Sequence, residues 1–177
     1  MASCDALIPF IRSWEGGWSD DPNDSGGATM CGITMDTFTA WRTGHNLPRP
    51  TKEDLRHITD AEWRDIFLSR YWQPLRAGEL WSQGVANMLV DWYWHSGTTA
   101  VKTLQRLVRT TQDGIIGIRT LAAANARDPK ELFRELRNAR IKFLTDLAMR
   151  KPSQNRHLAG WLRRVNSIEY DTLTLNR

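Results

Sequence analysis

Glu15 is the residue of this sequence whose type and neighbours point most directly to chemistry. It is followed by Gly16-Gly17-Trp18, and a polar, glycine-rich run further along supplies a second carboxylate, Asp24. Cleavage of a glycosidic bond uses such a pair, because one acid protonates the leaving oxygen while the other carboxylate serves water or the sugar carbon. The two acids therefore predict a site for acid-assisted cleavage, and a solvated helix-end residue is the alternative interpretation of Glu15.

The element that must position Glu15 is an amphipathic helix, predicted over residues 5–15 from apolar residues at helical spacing and from the two glycines that follow. Glu15 then lies on its last turn, where unpaired backbone carbonyls carry partial negative charge. That charge, together with the neighbouring indoles, disfavours a carboxylate, so the sequence predicts a raised pKa for Glu15. An acid that keeps its proton near neutral pH is suited to proton donation.

A small, turn-rich β-hairpin is predicted after this helix, in the polar run that ends at Thr34. It would bring Asp24 and a threonine hydroxyl within reach of Glu15. If side chains alternate along a strand from residue 29 to 34, Thr29 and Thr34 point to opposite faces. At most one of the two threonines then lines a cleft with Glu15.

These motifs together resemble the signature of glycoside hydrolase family 108. The resemblance extends over nearly the whole chain, and it rests on Glu15-Gly-Gly-Trp18, Asp24-x-Gly-Gly-x-Thr29, Gly32-Ile33-Thr34, Asp91 to Gly97, Asp113-Gly114-Ile115-Ile116-Gly117-x-x-Thr120 and Gly160-Trp161-Leu162-x-Arg164-Val165. The first cluster is the specific one, because its spacing combines several uncommon residues.

The resemblance implies a lysozyme-like N-acetylmuramidase of the kind common among phage endolysins. Such an enzyme hydrolyses the β-1,4 bond between N-acetylmuramic acid and N-acetylglucosamine in peptidoglycan. The family's catalytic glutamate corresponds to Glu15 and its downstream acid to Asp24. The hydroxyls of the pattern correspond to Thr29 and Thr34, of which Thr29 is the closer match.

Three residues are candidates for substrate binding: Trp18, Asp91 and His95. Trp18 adjoins the candidate acid, and its flat indole suits a sugar ring, although a structural role fits it equally well. Asp91 lies within an otherwise apolar helix, and a buried aspartate must be paired or hydrogen-bonded, which favours a structural bond to a neighbouring helix end. His95 stands where the family usually has an asparagine, and it would add pH sensitivity to the site.

The remaining sequence predicts a mainly α protein with one small β-hairpin, an α+β fold of the lysozyme-like type. Periodicity and capping signals predict helices at about 36–43, 60–71, 80–95, 98–109, 118–127, 129–149 and 155–169, with a short turn of helix opening near residue 51. The 177 residues contain no repeat and no flexible linker. We therefore expect one domain, 1–177, with the catalytic motif at 14–34 and a C-terminal part, 98–177, that is a candidate for contact with peptidoglycan.

The charge is distributed unevenly between the two halves of the chain. Residues 1–88 hold 8 Lys/Arg and 12 Asp/Glu, a net charge of −4, whereas residues 89–177 hold 16 and 8, a net charge of +8. A basic half favours a polyanionic partner such as cell-wall polymer, anionic lipid or nucleic acid, and solvated helix faces explain it equally well. No motif that reads nucleic acid is recognisable, so the predicted partner is the peptidoglycan glycan strand.

Cys4 and Cys31 show no metal-ligand spacing, so we expect free thiols in a protein made in a reducing cytosol, with a bond between the two left open. No apolar run is long enough to span a membrane, and the first residues do not resemble a signal peptide. We therefore expect synthesis in the cytoplasm and action on the cell wall after release through a holin or a dedicated export system. No metal or cofactor is indicated, and we expect a monomer.

Two other functions stay open on the sequence. A non-catalytic peptidoglycan-binding module on a lysozyme-like scaffold would have no need to keep Glu15, Asp24 and Thr29 together. A lytic transglycosylase would act on the same bond but would leave an anhydro-sugar end instead of a reducing end.

Overall fold

The computed structural model describes residues 1–20 and 27–176. Within those ranges the chain forms nine α-helices and one small sheet. The helices are α1 (Leu7–Trp14), α2 (Met35–Gly44), α3 (Lys52–Arg56), α4 (Asp60–Phe67), α5 (Gln83–Ser96), α6 (Thr98–Leu107), α7 (Ile118–Asn125), α8 (Pro129–Arg150) and α9 (Asn155–Asn166), and the strands are β1 (Trp18–Ser19), β2 (Thr29–Met30) and β3 (Ile33–Thr34). The predicted fold class, mainly α with a small antiparallel sheet, is confirmed.

Side-chain caps determine where several helices begin. Thr51 and Thr59 each accept a hydrogen bond from the backbone N–H three residues on, and the acid at that position accepts one from the threonine's own N–H, which completes a capping box. Ser82 caps α5, and Asp128 caps α8 ahead of a proline at its first position. These local signals explain why most helix boundaries lie within a few residues of those predicted.

The predicted helix over 60–71 differs from the observed one. The α-helical hydrogen bonds of α4 end at Phe67, and a π-helical turn, Leu68–Trp72, continues the winding. Its wider turn is visible in the hydrogen bond from the Gln73 N–H to the carbonyl five residues back, that of Leu68, at 2.9 Å. Because the chain stays wound, the aromatic residues of this segment still pack towards α5.

The hairpin between β2 and β3 corrects the expectation that Thr29 and Thr34 face opposite sides. The strands are antiparallel, and Thr29 is the register partner of Thr34. Side chains directly opposite each other on antiparallel strands lie on the same face. The sequence expectation assumed one continuous strand, but Cys31 and Gly32, with φ of 47° and 78°, make a two-residue turn of the type that joins tight hairpins.

The core is organised around α5, as the apolar run over 80–95 predicted. Every residue from Gly84 to Trp92 is buried, and α6 and α8 pack against this helix. A helix buried on all sides can receive polar partners only from other elements of the fold. No helix in the described part of the chain combines the length and the apolar character needed to cross a membrane.

Both cysteines are free thiols, as the sequence predicted. Cys4 is buried, and burial raises the pKa of its thiol. Cys31 lies in the hairpin turn, and its carbonyl accepts a hydrogen bond from the Trp63 indole at 3.0 Å. The turn that follows Glu15 in the chain is thereby tied to α4.

Candidate active site

Glu15 lies immediately after the last residue of α1. Its backbone N–H still donates to the Ile11 carbonyl at 3.1 Å, but its own backbone is extended, with φ −84° and ψ 142°. The chain therefore leaves the helix at this residue and turns the carboxylate inward. The side chain is 15% exposed, so the alternative of a solvated helix-end residue does not hold.

Three donors converge on one oxygen of Glu15. The Trp94 indole N–H donates to Oε1 at 2.9 Å, and the Arg164 guanidinium donates to the same oxygen from Nη1 at 2.7 Å. The His95 Nε2 lies 3.5 Å from it. Trp94 and His95 come from α5 and Arg164 from α9, so the site is assembled from the two ends of the chain. Among the described residues no hydrogen bond reaches Oε2, and that oxygen is left to hold a proton.

These partners reverse the expected direction of the Glu15 pKa. Burial alone would raise it, but the contact with His95 and the positive charge of Arg164 outweigh burial and hold the pKa of Glu15 below its ordinary value. The prediction of a raised pKa was wrong for the free protein. It considered only the carbonyls of α1 and the adjacent indoles, and the donors that decide the outcome are about 80 and 150 residues away in sequence.

Gly32 closes over the carboxylate from the hairpin side. Its φ of +78° is the left-handed region, and a Cβ at this position would lie 2.7 Å from the Trp94 ring and 2.9 Å from Glu15 Oε2. Both the backbone conformation and the space therefore require glycine. The Gly32-Ile33-Thr34 motif thus has a physical role, because it lets the turn approach the candidate acid.

An aromatic cluster orients the Trp94 donor. Its ring centroid lies 4.3 Å from that of Tyr71, 5.7 Å from that of Trp63 and 6.0 Å from that of Phe67. Packed rings fix the indole plane, so the N–H points at Glu15 before any ligand arrives. Trp63 also bonds the hairpin turn, which makes this cluster the support for both sides of the site.

Behind Arg164 the charges continue into the core. The Asp91 side chain has no exposed surface. Its carboxylate pairs with Arg164 Nη2, 2.7 Å away, and with Arg140 Nη1, 2.8 Å away. The two guanidinium groups outweigh the effect of burial and hold the pKa of Asp91 far below its usual value. Glu15, Arg164, Asp91 and Arg140 thus form a chain of alternating charges with a net charge of zero.

The expectation that Asp91 is a substrate-binding residue is corrected, because its side chain is buried. A carboxylate with no exposed surface cannot contact a saccharide, and the structural pairing that burial requires is the one observed. His95, by contrast, is 37% exposed and lies beside Glu15. Its Nδ1 is 3.1 Å from the Asp91 carbonyl, which can only accept, so Nδ1 carries a proton and Nε2 can donate to Glu15 only when the ring is charged.

The other predicted site residues are distributed around the hairpin. Thr29 is partly exposed, and its hydroxyl donates to the Gly27 carbonyl at 3.2 Å. Thr34 caps α2, and its hydroxyl bonds to Thr37. Trp18 is half-buried in β1, with the Arg56 guanidinium 5.8 Å from its ring centroid. Asp24 lies outside the described residues.

Sequence reasoning missed Trp94, Arg140 and Arg164 as parts of this site. A signal for the two arginines was present, because each interrupts an apolar helical stripe: Arg140 lies four residues from Leu136 and Leu144, and Arg164 lies three from Trp161. An arginine on a buried face requires a carboxylate partner, and Asp91 was the buried carboxylate in need of a cation. No comparable signal distinguishes Trp94 from the other indoles of the chain.

A cavity of about 310 Å³ begins beside the carboxylate, at His95 and Arg164, and extends between α5, α6, α8 and α9. The candidate acid is therefore a partly exposed carboxylate at the edge of a cavity, held by preorganised donors. Such an arrangement can exchange a proton with a bound molecule.

Comparison with known proteins gives two matches to family models. Residues 8–97 match the model described as Glycosyl hydrolase 108, and residues 99–166 match one described as Predicted Peptidoglycan domain. Among solved structures the chain is similar to the one titled "Structure of Brucella abortus SagA", with 32% sequence identity, 92% of each chain covered and a TM-score of 0.72. None of the curated proteins searched matches the chain.

The two matched regions share the charge network described above. Glu15 and Asp91 fall in the first region, whereas Arg140 and Arg164 fall in the second. Each carboxylate of the network has its guanidinium partner across the boundary.

Proposed function

This chain belongs to the glycosyl hydrolase 108 family, and we propose that, as a glycoside hydrolase acting on peptidoglycan, it cleaves the β-1,4 bond between N-acetylmuramic acid and N-acetylglucosamine with Glu15 as the general acid. The observation that carries the proposal is the Glu15 carboxylate itself. It is 15% exposed, is held by Trp94 and Arg164, and lies next to His95 and Arg164, which line a cavity. We also propose that it acts as an N-acetylmuramidase on cell walls outside the producing cell, as a phage endolysin does.

Proton donation requires that Glu15 gain a proton when substrate binds. In the free protein its donors favour the ionised form, but a sugar ring over the site excludes water and disfavours charge. Because all three donors contact Oε1, the proton would be held on Oε2. Arg164 and Trp94 then stabilise the carboxylate that forms once the proton has passed to the leaving oxygen.

The second half of the reaction needs a carboxylate and a water. We assign the carboxylate role to Asp24, which would support the oxocarbenium-like transition state or orient the attacking water. Thr29 is the better candidate to hold that water, because the Thr34 hydroxyl is already used in capping α2. The separation of the two carboxyl groups decides between inversion and retention.

The test is mass spectrometry of the products released from purified peptidoglycan. New reducing ends are expected from the wild-type chain, and Glu15→Gln should lower their rate of release by about 10²–10⁴-fold, the usual contribution of a general acid. Glu53→Gln is the matched control, since Glu53 is 69% exposed on α3. Release of anhydro-sugar ends instead of reducing ends would show that the protein is a lytic transglycosylase and not a hydrolase. Binding to the wall without release of new ends would show that the protein is only a binding module.

A further inference from the structure

We propose that the cavity between α5, α6, α8 and α9 is a saccharide subsite, which holds a ring of the glycan strand next to the bond at Glu15. The inference rests on the proposed hydrolase function, because it assigns this cavity to the same substrate. It extends that function by naming residues of the second matched region as part of the substrate-binding surface.

The cavity is continuous with the candidate active site. His95 and Arg164 both line it, and both contact Glu15 Oε1. Its volume of about 310 Å³ falls in the range of small-molecule sites. A polymer whose scissile bond lies at Glu15 must continue past the site, and this cavity offers a concave path for it.

The lining suits a neutral, amphipathic ring. The lining includes the apolar side chains of Trp161, Phe143 and Leu147 and two residues that carry hydroxyl groups, Ser96 and Thr99. A sugar ring presents C–H groups on its faces and hydroxyls at its edge, so it can use both kinds of surface.

The charges in the wall do not favour an anion. Arg140 is paired with Asp91, and Arg164 is paired with both Asp91 and Glu15. These cations are therefore already compensated. A neutral acetamido sugar fits this wall better than a phosphate or a nucleotide does.

Helix α9 couples the subsite to the acid. Trp161 and Arg164 are three residues apart and so lie on one side of the helix. The His157 ring stacks on Trp161, with centroids 5.9 Å apart and an interplanar angle of 29°, which limits rotation of the indole. The helix that brings the guanidinium to Glu15 therefore also presents an oriented aromatic ring to the cavity.

The subsite is tested by measuring binding of the peptidoglycan tetrasaccharide (N-acetylglucosamine–N-acetylmuramic acid)₂ to the full chain by calorimetry, in a Glu15→Gln background that prevents turnover. Trp161→Ala should weaken binding about tenfold, the order expected for loss of an aromatic stacking partner. Trp161→Phe keeps a ring and should bind within about threefold of the parent. Trp81→Ala is the matched control, because Trp81 is 72% exposed and is not part of this cavity.

A second variant, Thr99→Trp, tests the subsite without changing Trp161, so that the result does not depend on whether Trp161→Ala folds. It leaves Trp161 in place but fills the cavity, so it should also abolish tetrasaccharide binding. Unchanged affinity in both Trp161→Ala and Thr99→Trp, with a wild-type chain that releases reducing ends, would overturn the subsite and leave the hydrolase function intact. Loss of binding in these two variants, with a wild-type chain that releases no ends, would support the subsite and contradict the hydrolase function.

Discussion

At Glu15 a single oxygen accepts hydrogen bonds from the neutral Trp94 indole and the charged Arg164 guanidinium and faces His95, and these neighbours determine which form of the acid is stable. The carboxylate is favoured in the free protein because the contact with His95 and the positive charge of Arg164 stabilise it. A proton donor of this kind is loaded only when the substrate displaces water. The residue is therefore controlled by its distant neighbours more than by the helix end on which it lies.

The variant His95→Asn tests the contribution of one of these neighbours, His95, to the Glu15 pKa. Asparagine removes the imidazole whose contact lowers the Glu15 pKa, so this pKa should rise. Because the proposed reaction needs protonated Glu15, the basic limb of the kcat/KM profile against pH should move to higher pH. The measurement is that profile on a soluble peptidoglycan fragment.

His57→Asn serves as the control for His95→Asn, since His57 is 70% exposed on the side of α3. Its profile should coincide with that of the wild type. A basic limb that stays in place, or moves to lower pH, in His95→Asn would contradict the assignment of His95 as a residue that sets the Glu15 pKa.

Gly32→Ala tests the close approach of the hairpin turn. The new methyl group would meet the Trp94 ring and Glu15 Oε2, and alanine at φ +78° adds about 1–2 kcal/mol of backbone strain. Hydrolysis should fall sharply, measured as release of reducing ends. Gly27→Ala is a control matched for backbone strain, because Gly27 has φ +63° but, among the described residues and apart from its chain neighbours, no atom lies within 4 Å of the position that its Cβ would take. Equal losses of activity in both variants would show that strain alone, without the contact to Glu15, explains the effect.

At the scale of elements, α5, α8 and α9 are held together by a buried chain of charges. Asp91 on α5 is the acceptor shared by Arg140 on α8 and Arg164 on α9. Such a network contributes little net stability relative to an apolar core, but removing one member leaves uncompensated charge in the interior. Its effect is to fix the position of Arg164, and therefore that of the donor to Glu15.

Asp91→Asn should lower the free energy of unfolding by roughly 3–5 kcal/mol, because two buried guanidinium groups lose their partner. Urea denaturation near neutral pH measures this change. Asp146→Asn, which removes an exposed pair with Lys142 on α8, should change it by less than about 1 kcal/mol. A loss for Asp91→Asn no larger than that of this control would contradict the role given to the network.

The pH dependence of stability has a defined sign. The pKa of Asp91 is lower in the folded chain than in the unfolded chain, so its contribution is complete above the unfolded value of about 4 and is lost as the pH falls towards the folded value. Stability of the wild type should therefore decline on acidification below about pH 5, and Asp91→Asn should lack this part of the decline.

Helices and their ends were predictable, because their determinants are local. The capping threonines Thr51 and Thr59 and the apolar stripes of α8 and α9 are visible in a few consecutive residues. The partners of Glu15 were not predictable in the same way, since Trp94 and Arg164 reach it only through tertiary packing. The relative orientation of Thr29 and Thr34 also depended on a tight turn at Cys31-Gly32, which a strand pattern alone does not reveal.

At the scale of the whole molecule, elements of the two matched regions pack together around α5. A single buried cluster includes Ile8 and Phe10 of the first region together with Leu136 and Val165 of the second. The basic character of residues 89–177 is also partly internal, because Arg140 and Arg164 compensate carboxylates of the first region. We therefore propose that residues 1–177 fold as one domain, in which the second region completes the site of the first.

One domain should unfold in one step. Scanning calorimetry of the full chain should show a single transition in which the calorimetric and van't Hoff enthalpies agree, at roughly 120 kcal/mol near 60 °C for a chain of this size. Asp91→Asn should move that whole transition to lower temperature, because Asp91 lies in the first region and both of its partners lie in the second, whereas Asp146→Asn should leave it nearly in place. Two resolved transitions, with Asp91→Asn displacing only one of them, would show that the regions are separate domains and that the donor from α9 is not part of the structural unit that holds Glu15.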